Sequence, residues 1–160
     1  MAPITTIFNL TNQLPPSLQT LALATGFFDL FHSEHRHFLA KAKSVADFLL
    51  VGVEADLRAR QLKGFHRPYQ PQFQRAFQLS QLRVVDLVVL LPLNFSQAQI
   101  RDLFLGLVKP QILAVSSHSP NQPAKRSLVE KYGGRLLIVH QHNPQISTTI
   151  LAQTLYNHSD

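Results

Sequence analysis

Hydrophobic positions along this chain of 160 residues follow two alternating rhythms. Short, largely apolar runs recur at Leu21–Thr25, Ala46–Val53, Val84–Leu91, Ile112–Val115 and Leu136–Val139. Their length and β-branched content predict strands buried on both faces. Between them the period lengthens to that of a helix. Phe38, Leu39 and Ala42 recur among polar residues after Ser33, and Phe73, Ala76, Phe77 and Ser80 share one face of a helix expected over 72–82. Ser96 is the expected N-cap of a helix running to Val108. Asn121 is expected to cap a helix from Gln122 to Tyr132, with Pro123 in its first turn and Gly133 at its end. Ser147 is expected to cap a last helix, Thr148–Tyr156. Glu54–Leu62 is polar, and Phe65–Pro71, with two prolines, reads as a loop. Residues 1–20 carry Pro3, Pro15 and Pro16 and read as a loosely packed lead-in with one helical turn near Ile7–Asn12; residues 157–160 read as a tail.

Strands that alternate with helices imply a parallel sheet covered on both faces and joined by right-handed crossovers. The expected fold is therefore α/β: one domain, a doubly wound, Rossmann-like sheet of five parallel strands. Ligands of such sheets bind beyond the carboxyl ends of the strands, where strand order reverses. The stretch Leu21–Lys43 occupies that position. Its strand ends at Gly26, a turn follows through Phe27, Phe28 and Asp29, and a helix begins near Ser33. The free N–H groups of a helix start attract anions, phosphate above all. His32 and His35, three residues apart, fall on one face of that helix start. His37 points elsewhere.

Composition narrows the choice of ligand. Hydrophobic residues make up 45% and charged residues 15%, as in a globular domain large enough for a real core. There is no cysteine, which excludes disulfides and thiolate metal sites, and the eight histidines show no zinc-binding spacing. Fifteen Lys and Arg against nine Asp and Glu leave a net charge of +6. These basic residues are scattered, which argues for a small polyanion and against nucleic acid. MAPITTIFNL lacks the features of a secretory signal, and no apolar run approaches the ~20 residues of a membrane helix. A cytoplasmic protein without a membrane partner is expected.

Three motifs resemble those of the cytidylyltransferase-like nucleotidyltransferases. Gly26-Phe27-Phe28-Asp29 with His32-Ser33-Glu34-His35 resembles the family's G-x-F-D and H-x-G-H signature. Leu62-Lys63-Gly64-Phe65-His66-Arg67-Pro68 is similar to the L-K-G-x-x-R-P segment of the heptose-1-phosphate adenylyltransferases. Ile146-Ser147-Thr148-Thr149-Ile150 is similar to the S-T-T-x-I that opens the last helix. Glycerol-3-phosphate cytidylyltransferases share these features. The resemblance spans roughly residues 20–155, within a nucleotidyltransferase-like domain over 21–156.

The resemblance implies transfer of AMP or CMP from a nucleoside triphosphate to a phosphorylated small acceptor, with release of pyrophosphate and with Mg²⁺ on the triphosphate. It implies catalytic roles for His32, His35 and Lys63. Nucleotide contacts are implied for Thr25, Gly26, Phe27, Phe28, Arg75, Ser147, Thr148 and Thr149, with Arg75 and Arg67 the weaker candidates, no protein-bound metal, and a homodimer. Asp29 is implied to support the turn. Lys63 is expected on a loop. Gln74 stands where the family has an acid that pairs with the arginine after it. Two departures support an alternative reading, a nucleotide-binding homologue with impaired catalysis. Val115-Ser116-Ser117-His118 lacks the family's Gly and Asp near base and ribose. Glu34 replaces the signature glycine. A carboxylate ~6 Å from a phosphate repels each of its charges by about 3 kcal/mol at an effective dielectric near 20. Glu34 is thus expected either to turn away, to solvent, Arg36 or Lys63, or to hold the phosphate site shut.

Overall fold

The computed structural model describes residues 1–15, 20–141, 143 and 145–156. The expected tail and Pro16 lie outside the described residues. The strands are β1 (Ile4–Thr6), β2 (Leu21–Gly26), β3 (Phe48–Val53), β4 (Leu87–Leu90), β5 (Ile112–Ser116) and β6 (Arg135–His140). The α-helices are α1 (Ser33–Ser44), α2 (Asp56–Lys63), α3 (Gln72–Ser80), α4 (Ala98–Val108), α5 (Gln122–Lys131) and α6 (Thr148–Tyr156), with a 3₁₀ helix over Ile7–Asn12.

All pairings are parallel, in the order β1-β4-β3-β2-β5-β6. The sheet thus has six strands instead of five. The extra one lies in the lead-in, where Ile4, Thr5 and Thr6 pair with Val88, Val89 and Leu90. Ile7 and Leu10 of the 3₁₀ helix are buried, so this part of the lead-in is packed into the core instead of loosely. Three residues beside Pro3 are too few for a hydrophobic period to show.

Alternating side chains of each strand build two cores. Leu21 and Leu23 join Phe104, Leu105, Val108 and Val129 of α4 and α5 on one face. Ala22 and Ala24 join Leu39 and Ala42 of α1 and Ala76 and Leu79 of α3 on the other. Three details correct the sequence reading. The buried face of α3 is Arg75, Ala76, Leu79 and Ser80, while Phe73 and Phe77 are exposed. The N-cap of α4 is Gln97 and not Ser96, and Asn121 precedes α5 in a left-handed conformation without a side-chain cap. The polar stretch after β3 forms α2, so Lys63 ends a helix instead of riding on a loop.

Chain order reverses at β2. The chain runs outward through β3 to β4 on one side and through β5 to β6 on the other. The carboxyl end of β2 is therefore the switch point, and Gly26 closes it.

Candidate active site

Asp29 organises the site from below. It is buried, and its carboxylate accepts hydrogen bonds from the backbone N–H groups of Tyr69 at 3.0 Å and Gln70 at 3.1 Å, and from Arg67 Nη1 at 3.4 Å. Its carbonyl accepts from Thr148 Oγ1 at 2.9 Å. Arg67 Nη2 donates to Thr149 Oγ1 at 2.9 Å. The three motifs, far apart in sequence, are thus bound into one wall. Phe28 and Leu30 adopt left-handed backbone on either side of Asp29, at φ 52 and φ 45, and turn the chain from β2 into α1.

Above this wall lies a cleft of about 510 Å³. His32, the N-cap of α1, and His35 in its first turn enter from one side. Lys63, from the end of α2, and Arg67 enter from another. Ser147, Thr148 and Thr149 at the start of α6 close the floor. The first N–H groups of an α-helix have no partners within their own backbone ladder, and such helix starts are suited to anions. Ser147 Oγ caps α6 by accepting from Ile150 N at 3.3 Å, as expected of that serine. The Thr148 hydroxyl donates its proton to the Asp29 carbonyl, so it cannot also donate to a ligand.

Electrostatics suit phosphate. His35 is enclosed by Phe31, stacked at 5.6 Å, by Phe28 edge-on at 5.4 Å, and by His32. Its pKa is pushed down to about 3, first by loss of water, then by His32 and Lys63, with Glu34 opposing. Its Nδ1 is buried without a hydrogen-bond partner. Lys63 Nζ lies 4.7 Å above the Phe27 ring, a cation–π contact. Desolvation and then the Arg67 charge lower its pKa. Two cations on one side of the cleft and two imidazoles on another suit a polyanion.

Several expected nucleotide contacts are not in the cleft. Arg75 is fully buried. Its guanidinium donates to the carbonyls of Gln70, Phe27 and Glu54 and pairs with Asp56 Oδ1 at 2.5 Å. It locks α3 to the ends of β2 and β3, and Asp56 gives it the acidic partner that Gln74 cannot. Thr25 and Gly26 lie beneath the cleft. A Cβ on Gly26 would meet the Phe28 ring at 3.1 Å, so a side chain there requires the ring to shift by a few tenths of an ångström. Phe27 contributes its ring beneath Lys63, and Phe28 packs against His35.

Glu34 turns away from the phosphate donors, but not to solvent, Arg36 or Lys63. His140 Nε2 lies 2.8 Å from its Oε2, and the N–H of Asn143 donates to the same oxygen at 3.2 Å. The His140 hydrogen bond is the chief cause that lowers the Glu34 pKa, with partial burial opposing and Asn143 assisting. His140 and Ser116 also line the cleft, and the sequence reading assigned them no role. The available signal was topological: Ser116 ends β5, the neighbour of the switch strand, and His140 ends β6, the next strand out.

Comparison with known proteins agrees with this geometry. The cytidylyltransferase-like family model matches residues 23–154. A bifunctional protein HldE of Pelobacter propionicus is 34% identical over 140 residues, covering 87% of this chain and 28% of that protein. The HldE of Acidiphilium cryptum is 38% identical over 121 residues, covering 74% of this chain and 24% of the relative. The chain thus spans roughly a quarter of the length of these curated relatives. A lipopolysaccharide core biosynthesis protein from Thermoplasma volcanium superposes with TM-score 0.62 at 27% identity, over 78% of this chain and 96% of that one. Pantothenate synthetase of Thermus thermophilus, at 15% identity and TM-score 0.57 over 88% of this chain and 61% of its own, shares the fold. With its three motifs gathered around one cleft and the family model matched over most of its length, the chain belongs to the cytidylyltransferase-like family.

Proposed function

We propose that this protein transfers AMP or CMP from a nucleoside triphosphate to a phosphorylated small acceptor and releases pyrophosphate. The observation that carries the reading is the convergence of His32, His35, Lys63, Arg67 and the α6 N-terminus on one cleft. An acceptor phosphate oxygen attacks the α-phosphorus. A new P–O bond forms there, the bond to the bridging oxygen of the β-phosphate breaks, and its electron pair leaves on pyrophosphate. The acceptor phosphate is already ionised at neutral pH, so no strong base is required. The protein positions the chain and stabilises charge. His32 and His35 lie along the phosphates, where hydrogen bonds strengthen as charge builds. Lys63 and Arg67 hold the leaving pyrophosphate from the opposite side. The donors of the phosphate-facing walls are nitrogens and hydroxyls, suited to phosphate oxygens and not to a cation. Mg²⁺ would enter as part of the triphosphate substrate.

The acceptors to try are sugar phosphates and polyol phosphates, since the resemblance extends to enzymes of both kinds. The test is pyrophosphate release from ATP and CTP against a panel of both acceptor types. Turnover with one combination supports transfer. Triphosphate binding without turnover on any acceptor supports the impaired homologue, which the carboxylate of Glu34 in the cleft favours.

A further inference from the structure

The cleft is chemically divided. His32, His35, Lys63 and Arg67 supply cations and N–H donors, while Glu34, anchored by His140, supplies a carboxylate on the β6 side. An acid within a phosphate site is costly unless the group beside it is neutral and donates hydrogen bonds. Glu34 directly precedes His35 on α1, so its neighbour is the part of the ligand joined to the phosphate chain. In a nucleoside triphosphate that part is the ribose, which is uncharged and carries two hydroxyl donors.

The carboxylate is also built for such a role. Its Oε2 is fixed by His140 Nε2 at 2.8 Å and Asn143 N at 3.2 Å. Its Oε1 makes no hydrogen bond among the described residues and lies 3.8 Å from His37 Nδ1. His140 reaches it through an irregularity in β6. Val115 pairs with Ile138, but Ser116 pairs with His140, so Val139 is an extra residue. Leu137 and Val139 pack toward α1, and strict alternation would send His140 to the opposite face. The bulge re-aims it toward Glu34, a common use of such irregularities beside sites.

We propose that Glu34 is a specificity-determining residue whose Oε1 accepts hydrogen bonds from the ribose hydroxyls, with His140 as its positioning residue. The proposal rests on the nucleotide reading above. A carboxylate from α1 then supplies an acceptor that the Val115–His118 segment lacks. It is a third outcome beside the two expected from sequence, in which Glu34 either turns away or holds the phosphate site shut.

The test is calorimetry with ATP, CTP and their 2′,3′-dideoxy forms on the full chain. Wild type should bind the ribose form about ten- to a hundred-fold more tightly than its dideoxy counterpart, the worth of a hydrogen bond to a charged acceptor. Glu34→Ala should abolish that preference while it binds the dideoxy form at least as well. His140→Ala should reduce the preference part-way, and it carries the test alone if Glu34→Ala does not fold. Undiminished preference in the folded variants, or no preference in wild type, overturns this inference and leaves the nucleotide reading standing. Failure of wild type to bind any of the four triphosphates overturns both.

Discussion

The rings of His32 and His35 stack with centroids 3.8 Å apart and planes 21° from parallel. Two imidazoles so close cannot both carry a charge cheaply, and the Phe28 and Phe31 rings exclude water from His35. His35 is therefore neutral at neutral pH in the free protein, with its pKa near 3. A triphosphate in the cleft would oppose this depression, because an anion favours the charged ring.

This depression makes a stability prediction. A histidine whose folded pKa lies below 6.5 binds its proton more readily in the unfolded chain. Its contribution is complete above pH 6.5 and is lost as pH falls toward about 3. His35→Asn should remove about one proton of uptake on unfolding within that window. Urea midpoints measured across it should fall less steeply for the variant than for wild type, and parallel curves would refute the depressed pKa.

In catalysis His35→Ala should lower kcat by ~10²-fold or more, with a smaller effect on triphosphate affinity, since its hydrogen bond tightens as charge builds. His37→Ala is the control. Its side chain is 65% exposed and faces Glu34 only at 3.8 Å, so turnover should stay near wild type. Equal turnover in both folded variants would remove His35 from the reaction.

Lys63→Ala should weaken triphosphate binding and flatten its salt dependence. The Lys63 ammonium lines the cleft above the Phe27 ring and should act through a Coulomb attraction that ions screen. Titrations of both proteins over a salt series measure this directly. Coincident lines would make Lys63 a bystander.

Arg75 should matter to stability and not to affinity. Its side chain is fully buried on three carbonyls and Asp56. Arg75→Ala leaves those acceptors unpaired and should cost about 3–5 kcal/mol. Arg75→Lys keeps the charge but loses the planar fork, and should cost less. Denaturant unfolding reads the loss. A lysine variant of wild-type stability but weakened triphosphate binding would return Arg75 to the ligand.

Much of this molecule was legible because the relevant forces act within a few residues. Apolar runs marked β2 to β6, since a strand buried on both faces must be apolar throughout. The helix starts at Ser33 and Ser147 followed from periodicity and capping. The motifs at Gly26–His35, Lys63–Pro68 and Ile146–Ile150 named most of the cleft. Tertiary structure alone decided the rest. It placed Ile4–Thr6 as an edge strand, because pairing with β4 and not local pattern holds three residues in place. It buried Arg75 where a nucleotide contact was expected, because its acceptors come from Phe27, Glu54, Asp56 and Gln70. It gave Glu34 a partner 106 residues away. That contact depends on strand order and on one extra residue in β6. Neither leaves a trace in the local sequence, because register is settled only when neighbouring strands meet.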